Sequence, residues 1–205
     1  MTPVLLMRKK NIGMENSTIT DTIFDTIVAI STPPGTSGLA VLRLSGPDAA
    51  HYCDALFRPY PITAVKPSEM AGYTTAVGSW ADLDQVVLSR FIAPHSYTGE
   101  DVFEISCHGG TAVKQAILES LVQEGARLAE AGEFSKRAFI NGKMDLSQAE
   151  AVMDLIGAEA GRQVQSAYNQ LKGRLSGKIR ERADSLYLLM ARVEMILEFP
   201  ELEET

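Results

Sequence analysis

AGEFSKRAFINGKMDLSQAEAVMD, residues 131–154, marks the point where a chain of mixed strand and helix hands over to continuous helix. Phe134, Ala138 and the Phe139/Ile140 pair fall at helical spacing, and Asn141-Gly142 is the kind of pair that closes a helix through a left-handed residue. Lys143 follows that stop directly. Two overlapping start signals come next, Asp145 with Gln148 and Ser147 with Glu150, and either can satisfy orphan amides at a helix N-terminus. A lysine is thus held between two helix ends. On residue type alone it reads as an exposed linker lysine.

Downstream of Ser147 the periodicity is helical to the end. Ala149, Val152, Met153 and Ile156 form one face of a first helix, and Gly157 or Gly161 marks a bend or break. One long helix is expected to follow, with Val164, Tyr168, Leu171, Leu175, Ile179, Ala183, Leu186, Met190, Val193 and Leu197 recurring three or four residues apart. So narrow a stripe requires helical neighbours. The expectation is a fragment whose partner helices lie in another chain or in further sequence.

Upstream, Thr26–Ser31 is a β-branched run that ends at Pro33-Pro34-Gly35, a strand followed by a forced turn. In LAVLRLS, residues 39–45, alternation places Leu39, Val41 and Arg43 on one face and Ala40, Leu42 and Leu44 on the other. Arg43 interrupts an apolar face, which costs several kcal/mol, by order of magnitude, unless the charge is paired, reaches solvent or meets an anion. Gly46-Pro47-Asp48 opens a helix with a stripe of Ala49, Cys53, Leu56 and Phe57. RPYPITAVKPSE reads as a connection, and a strand at Tyr73–Val77, a turn at Trp80–Asp84 and a strand at Gln85–Ile92 suggest a hairpin. VFEISC, residues 102–107, sets Phe103, Ile105 and Cys107 against Glu104 and Ser106. His108-Gly109-Gly110 then turns the chain into a helix over Thr111–Gln123 that Gly125 ends, before a last short strand at Ala126–Ala129. The order β, β, α, β, β, β, α, β is an α+β domain on a mixed sheet with flanking helices.

Of the 205 residues 45% are hydrophobic, and the net charge is −7, so the chain as a whole lacks the basic footprint of a nucleic-acid binder and any RNA contact must be local. Cys53 and Cys107 form no CxxC pair; they read as buried small hydrophobes and fit a reducing, cytoplasmic setting. MTPVLLMRKKNIG has its basic residues after a short apolar run, the reverse of a secretory signal, and disorder is expected before about Asp21. No apolar run reaches the roughly 20 residues that span a bilayer.

His108-Gly109-Gly110 has no GxSxG partner, which argues against acyl transfer. His51, His95 and His108 share no metal-ligand spacing with the cysteines. Neither Gly142-Lys143 nor Gly177-Lys178 completes a GxxxxGK[ST] phosphate loop. Arg174, Lys178 and Arg182 stack at i, i+4 and i+8, where a solvated face is the favoured reading and a track for a phosphate backbone the other. What remains is Arg43, Glu104 and Lys143. They suit a folate: a pterin presents an N–H beside an amino group, which a carboxylate accepts in paired hydrogen bonds, while folate carbonyl and carboxylate oxygens call for cationic donors. Spacing alone leaves open whether the three converge.

The runs DTIVAISTPPGTSGLAVLRLSG (25–46), SYTGEDVFEISCHGG (96–110) and AGEFSKRAFINGKMDLSQAEAVMDLI (131–156) closely resemble the N-terminal part of the MnmE (TrmE) tRNA-modification GTPases. The resemblance implies a domain like that of folate-dependent aminomethyltransferases, which binds 5-formyl-tetrahydrofolate and forms a homodimer, followed by a helical domain. The expected division is an N-terminal extension over 1–20, a folate-binding and dimerisation domain over 21–143, and the first helices of a truncated helical domain over 144–205. By the same resemblance the folate-binding positions fall on Arg43, Glu104 and Lys143. With the flavoprotein MnmG the family's enzymes modify carbon 5 of the tRNA wobble uridine, and GTP, magnesium and potassium are expected only in a GTPase domain that this sequence lacks. The family's C-terminal cysteine motif is also missing, so neither GTP hydrolysis nor a catalytic residue is assigned. The rival readings are a free-standing folate-dependent one-carbon transferase and an assembly module with a vestigial pocket.

Overall fold

The computed structural model describes residues 25–60 and 65–198, so the expected disorder of the first 20 residues lies outside the described residues. The described residues fall into two compact units, one formed by residues up to 92 together with 100–129, the other by 93–99 together with 130 onward.

The first unit is one sheet with two helices. Strands β1 (Ile27–Ile30), β2 (Leu39–Ser45), β3 (Phe57–Pro59), β4 (Thr74–Trp80), β5 (Asp84–Phe91), β6 (Val102–His108) and β7 (Arg127–Leu128) lie in the order β3-β4-β5-β6-β2-β1-β7. Every pairing is antiparallel except β1 with β7, which makes the sheet mixed, as the sequence predicts. Helices α1 (Ala49–Leu56) and α2 (Thr111–Glu124) supply Ala49, Cys53, Ile117 and Leu121 to a single core with Leu42, Leu44, Leu88, Phe103 and Ile105 from the strands. Period-two alternation selects that face: in β2 Ala40, Leu42 and Leu44 are buried while Leu39 is exposed. Each large side chain so buried contributes about 1.5–3 kcal/mol.

Two expectations fail here. Residues 57–59 are an edge strand paired with β4, not part of the helix stripe or a connection; Pro59 is tolerated because an edge leaves one side of the ladder unpaired. Trp80 is not in a turn but is the fully buried last residue of β4, its Nε1–H donating to Ser120 Oγ at 3.0 Å. Gly78 makes the edge possible, since a Cβ there would collide with the Arg58 carbonyl and the Phe57 ring. Arg90 is buried on the core face of β5 and donates through Nη1 to the carbonyls of Ser68 (2.7 Å) and Met70 (2.6 Å), while its Nε has no partner. The Asp54 carboxylate accepts from the Ser68 amide and hydroxyl, so Arg90 and Asp54 together tie down the turn at Pro67–Glu69.

The second unit is helical: α3 (Glu133–Ile140), α4 (Leu146–Ile156), α5 (Gly161–Leu171) and α6 (Arg174–Glu198). Gly142 at φ 69 ends α3 through the left-handed residue that Asn141-Gly142 announces. Of the two start signals the first is used. Asp145 accepts from the Gln148 amide and Gln148 Oε1 accepts from the Asp145 amide, both at 2.9 Å. The single long helix expected over 164–197 is instead two helices. Gly173 at φ 70 breaks it, a conformation only glycine adopts without strain. Gln148 Nε2 donates to the Leu171 carbonyl and Gln170 Nε2 to the Ser147 carbonyl, fastening that break to the start of α4. The 25-residue α6 contains no buried residue.

Candidate functional site

Pairing of β2 with β6 places Arg43 directly opposite Glu104. Arg43 Nε and Nη2 both donate to Glu104 Oε1, at 2.9 and 2.7 Å, with the two side chains 25% and 27% exposed. Of the three outcomes open to a charge on that face, pairing is the one realised. At this exposure the pair adds on the order of 1 kcal/mol or less, so its position is more informative than its strength.

The same cross-strand row runs from Ala29 through Arg43, Glu104 and Ser89 to Thr75. The pair is therefore flanked by the small side chains Ala29 and Ser89. Glu104 spends one oxygen on Arg43, and its Oε2 has no hydrogen-bond partner among the described residues. Chemically this is an oriented carboxylate with acceptor capacity left, on the sheet face opposite the hydrophobic core.

Lys143 lies in the second unit and is no free linker side chain. Its amide donates to the Ala138 carbonyl and its Nζ to the Pro94 carbonyl, each at 2.8 Å. Around it Asn141 Nδ2 donates to the Thr98 carbonyl at 2.8 Å, and the Tyr97 and Ser135 hydroxyls lie 2.8 Å apart. One acceptor leaves an ammonium two further donors. Arg43 and Glu104 are thus brought together within the first unit; Lys143 is set by the 93–99 loop and the end of α3 within the second.

A second polar pair has no signal in the sequence. At the end of the sheet, Asp84 accepts from the His108 amide (2.8 Å) and faces His108 Nδ1 (2.7 Å), while the imidazole side chain remains 68% exposed. Burial alone would raise the Asp84 carboxyl; hydrogen bonds from His108 and from the Gln85 amide outweigh it and hold the group below the usual carboxylate range. Only the strand register joins residues 84 and 108. Burial raises both cysteine thiols, well above the ordinary value at Cys53, consistent with inert core residues. Among the described residues no group of three His, Cys, Asp or Glu could hold a metal ion, and no helix is long and apolar enough to cross a membrane.

Comparison with known proteins divides the chain later than the two compact units do, between 143 and 146 rather than at 129/130. Residues 26–143 match the family described as GTP-binding protein TrmE N-terminus, and residues 146–205 match the MnmE helical domain. The chain is 45% identical over 184 residues to the tRNA modification GTPase MnmE of Parabacteroides distasonis, covering 87% of this chain and 40% of that protein. It is 46% identical over 184 residues to the protein of that name from Enterococcus faecalis, covering 88% and 40%. For Bacillus velezensis the figures are 44% over 186 residues, 88% and 40%. The chain thus spans about 40% of the length of these relatives. With both family domains matched in order, a mixed sheet followed by helices, the chain belongs to the MnmE (TrmE) tRNA-modification GTPase family.

Proposed function

We propose that this chain is the reduced-folate-binding and dimer-forming part of an enzyme that modifies the wobble uridine of tRNA. Arg43 and Glu104 recognise the pterin, Lys143 supplies a cationic contact to folate oxygens, and 5-formyl-tetrahydrofolate carries the one-carbon unit. The observation that carries this reading is the Arg43–Glu104 pair: a carboxylate oriented by an arginine, with Oε2 left to accept a donor, between small neighbours. A pterin edge offers adjacent N–H and amino donors, of which Oε2 accepts one as it stands and the carboxylate accepts both once Arg43 frees Oε1.

In the whole enzyme the folate would supply carbon, the flavoprotein MnmG would supply redox chemistry, and GTP hydrolysis would drive a conformational cycle. The relatives' name, tRNA modification GTPase, supports the RNA substrate class.

Calorimetric titration of the 205-residue chain with 5-formyl-tetrahydrofolate tests the proposal. Saturable binding is expected, weakened about 10- to 100-fold by Glu104→Ala, the range for losing hydrogen bonds to a charged group. No binding by a folded chain, or unchanged affinity in Glu104→Ala, overturns it. Sedimentation tests the dimer, and a monomer at high concentration would remove that part.

A further inference from the structure

Residues 161–182 carry six cations, Arg162, Lys172, Arg174, Lys178, Arg180 and Arg182, and one carboxylate, Glu181, in a chain of net charge −7. All six are exposed, and among the described residues none forms an ion pair. The segment is bounded by acidic residues, Glu150, Asp154 and Glu159 before it and Asp184, Glu194 and Glu198 after it. A merely solvated face has its charges interspersed and paired at i, i+4. Here like charges repeat at that spacing in Arg174, Lys178 and Arg182.

The first of them also sits at the wrong end of the helix for stability. Arg174 opens α6, where the macrodipole is positive and carboxylates are favoured, yet the first turn has none. Both local effects oppose folding, and both add to one positive potential at the α5–α6 junction. Successive members of the stripe are about 6 Å apart along the axis, from the 1.5 Å rise per residue.

The stripe borders a groove of about 650 Å³ between α5 and α6, lined by Ser166 and Asn169 on one side and Arg174, Leu175, Lys178 and one carboxylate, Glu181, on the other, so cations outnumber anions along it two to one. Nothing stands within 4 Å of the position a Gly177 Cβ would occupy, so backbone is open to close approach there. Neutral hydroxyl and amide donors beside cations and bare backbone are what phosphate oxygens take from a protein. By helical periodicity the apolar stripe of Leu175, Ile179, Leu186 and Val193 lies to one side of Arg174 and Lys178. Further helices can cover it and leave the cations outward.

We propose that Arg174, Lys178 and Arg182, with the groove they border, form a contact surface for the phosphodiester backbone of a folded RNA. The inference rests on the proposed function for the class of RNA, a tRNA, and on nothing in its folate part.

The test is binding of an unmodified tRNA transcript to the full 205-residue chain between about 50 and 200 mM salt. Neutralising the stripe in Arg174→Gln/Lys178→Gln/Arg182→Gln should weaken binding at least about 10-fold and flatten the dependence of log K on log salt by about 2–3, roughly one for each phosphate no longer neutralised. The control Lys66→Gln/Lys136→Gln/Arg192→Gln removes as many exposed cations elsewhere and should change affinity less than about threefold. Should the stripe variant lose helicity by circular dichroism, Arg174→Lys/Arg182→Lys keeps the charge and should bind within about threefold of the parent, while the parent's own slope should exceed about 2 in magnitude. No binding by the parent, a parent slope below about 1, or equal losses in stripe and control variants overturns the proposal, the first result pointing to an acidic protein as the occupant. Calorimetry of the stripe variant with 5-formyl-tetrahydrofolate should match the parent, so failure of the RNA surface and failure of the folate reading are told apart.

Discussion

The two units handle apolar side chains in opposite ways. The sheet unit buries Trp80, Phe57, Phe103, Leu42 and Leu88 in one core, whereas α6 of the helical unit leaves Leu186, Leu188, Met190, Val193 and Leu197 exposed and buries none. In the first unit a charged residue off the core face is therefore conspicuous, and Arg43 and Glu104 can be weighed as a site against a settled background. In the second the apolar stripe calls for further helices, and what is complete in itself is the charge pattern around Arg174.

The contrast can be broken by substitution, with the largest effect expected in the sheet. Trp80→Ala should cost about 3–5 kcal/mol, since it opens a cavity and removes the indole hydrogen bond to Ser120, whose hydroxyl keeps only the Ile117 carbonyl. Urea unfolding that shows a cost below about 1 kcal/mol would mean that the core does not close around it. In the helical unit the largest single loss is expected at Asp145, whose carboxylate caps α4 and meets Ser147 Oγ at 2.8 Å. Asp145→Ala should cost about 1 kcal/mol, read by circular dichroism as earlier melting of helix.

Both units should weaken in acid for the same reason. Hydrogen bonds hold the Asp84 carboxyl below its ordinary value against the opposing effect of burial, and the Ser176 hydroxyl, followed by the Gln148 amide, lowers that of Asp145. A folded-state value below the unfolded one contributes stability above the unfolded value of about 3.9 and loses it as pH falls through the folded value. Stability should therefore drop below about pH 4, and Asp84→Asn should flatten that slope in denaturant titrations at about pH 3–5. An unchanged slope would show that Asp84 contributes nothing to the acid sensitivity.

Smaller effects sharpen the comparison. Lys143→Ala deletes one exposed hydrogen bond, to Pro94, and should shift Tm by no more than about 2–4 °C while weakening folate binding. A large loss of stability would return Lys143 to a structural role. Leu186→Ala, at an exposed position, should change stability by less than about 0.5 kcal/mol. A drop above about 1 kcal/mol would show that this face is covered in solution.

Periodicity made most of the fold legible. Alternation in LAVLRLS and VFEISC identified both the strands and the buried face, and Asn141-Gly142 with Asp145/Gln148 set the handover to helix. Non-local information was not legible. Phe57–Pro59 is a strand only because β4 lies beside it, Trp80 is core only because the hairpin starts later than its turn residues suggest, and Asp84 meets His108 through strand register. The break at Gly173 was hidden because the apolar stripe continues across it in sequence. At the candidate site the residue types pointed to a ligand, but the Arg43–Glu104 contact depends on a pairing between residues 61 apart.

The central claim is that Arg43, Glu104 and Lys143 serve one reduced folate. A crystal structure of the chain soaked with 5-formyl-tetrahydrofolate tests it most directly. The pterin N–H and amino groups are expected on the Glu104 carboxylate, with Arg43 beside them and Lys143 Nζ within hydrogen-bond distance of the same molecule. A folate bound elsewhere, with Glu104 still meeting only Arg43, would contradict it.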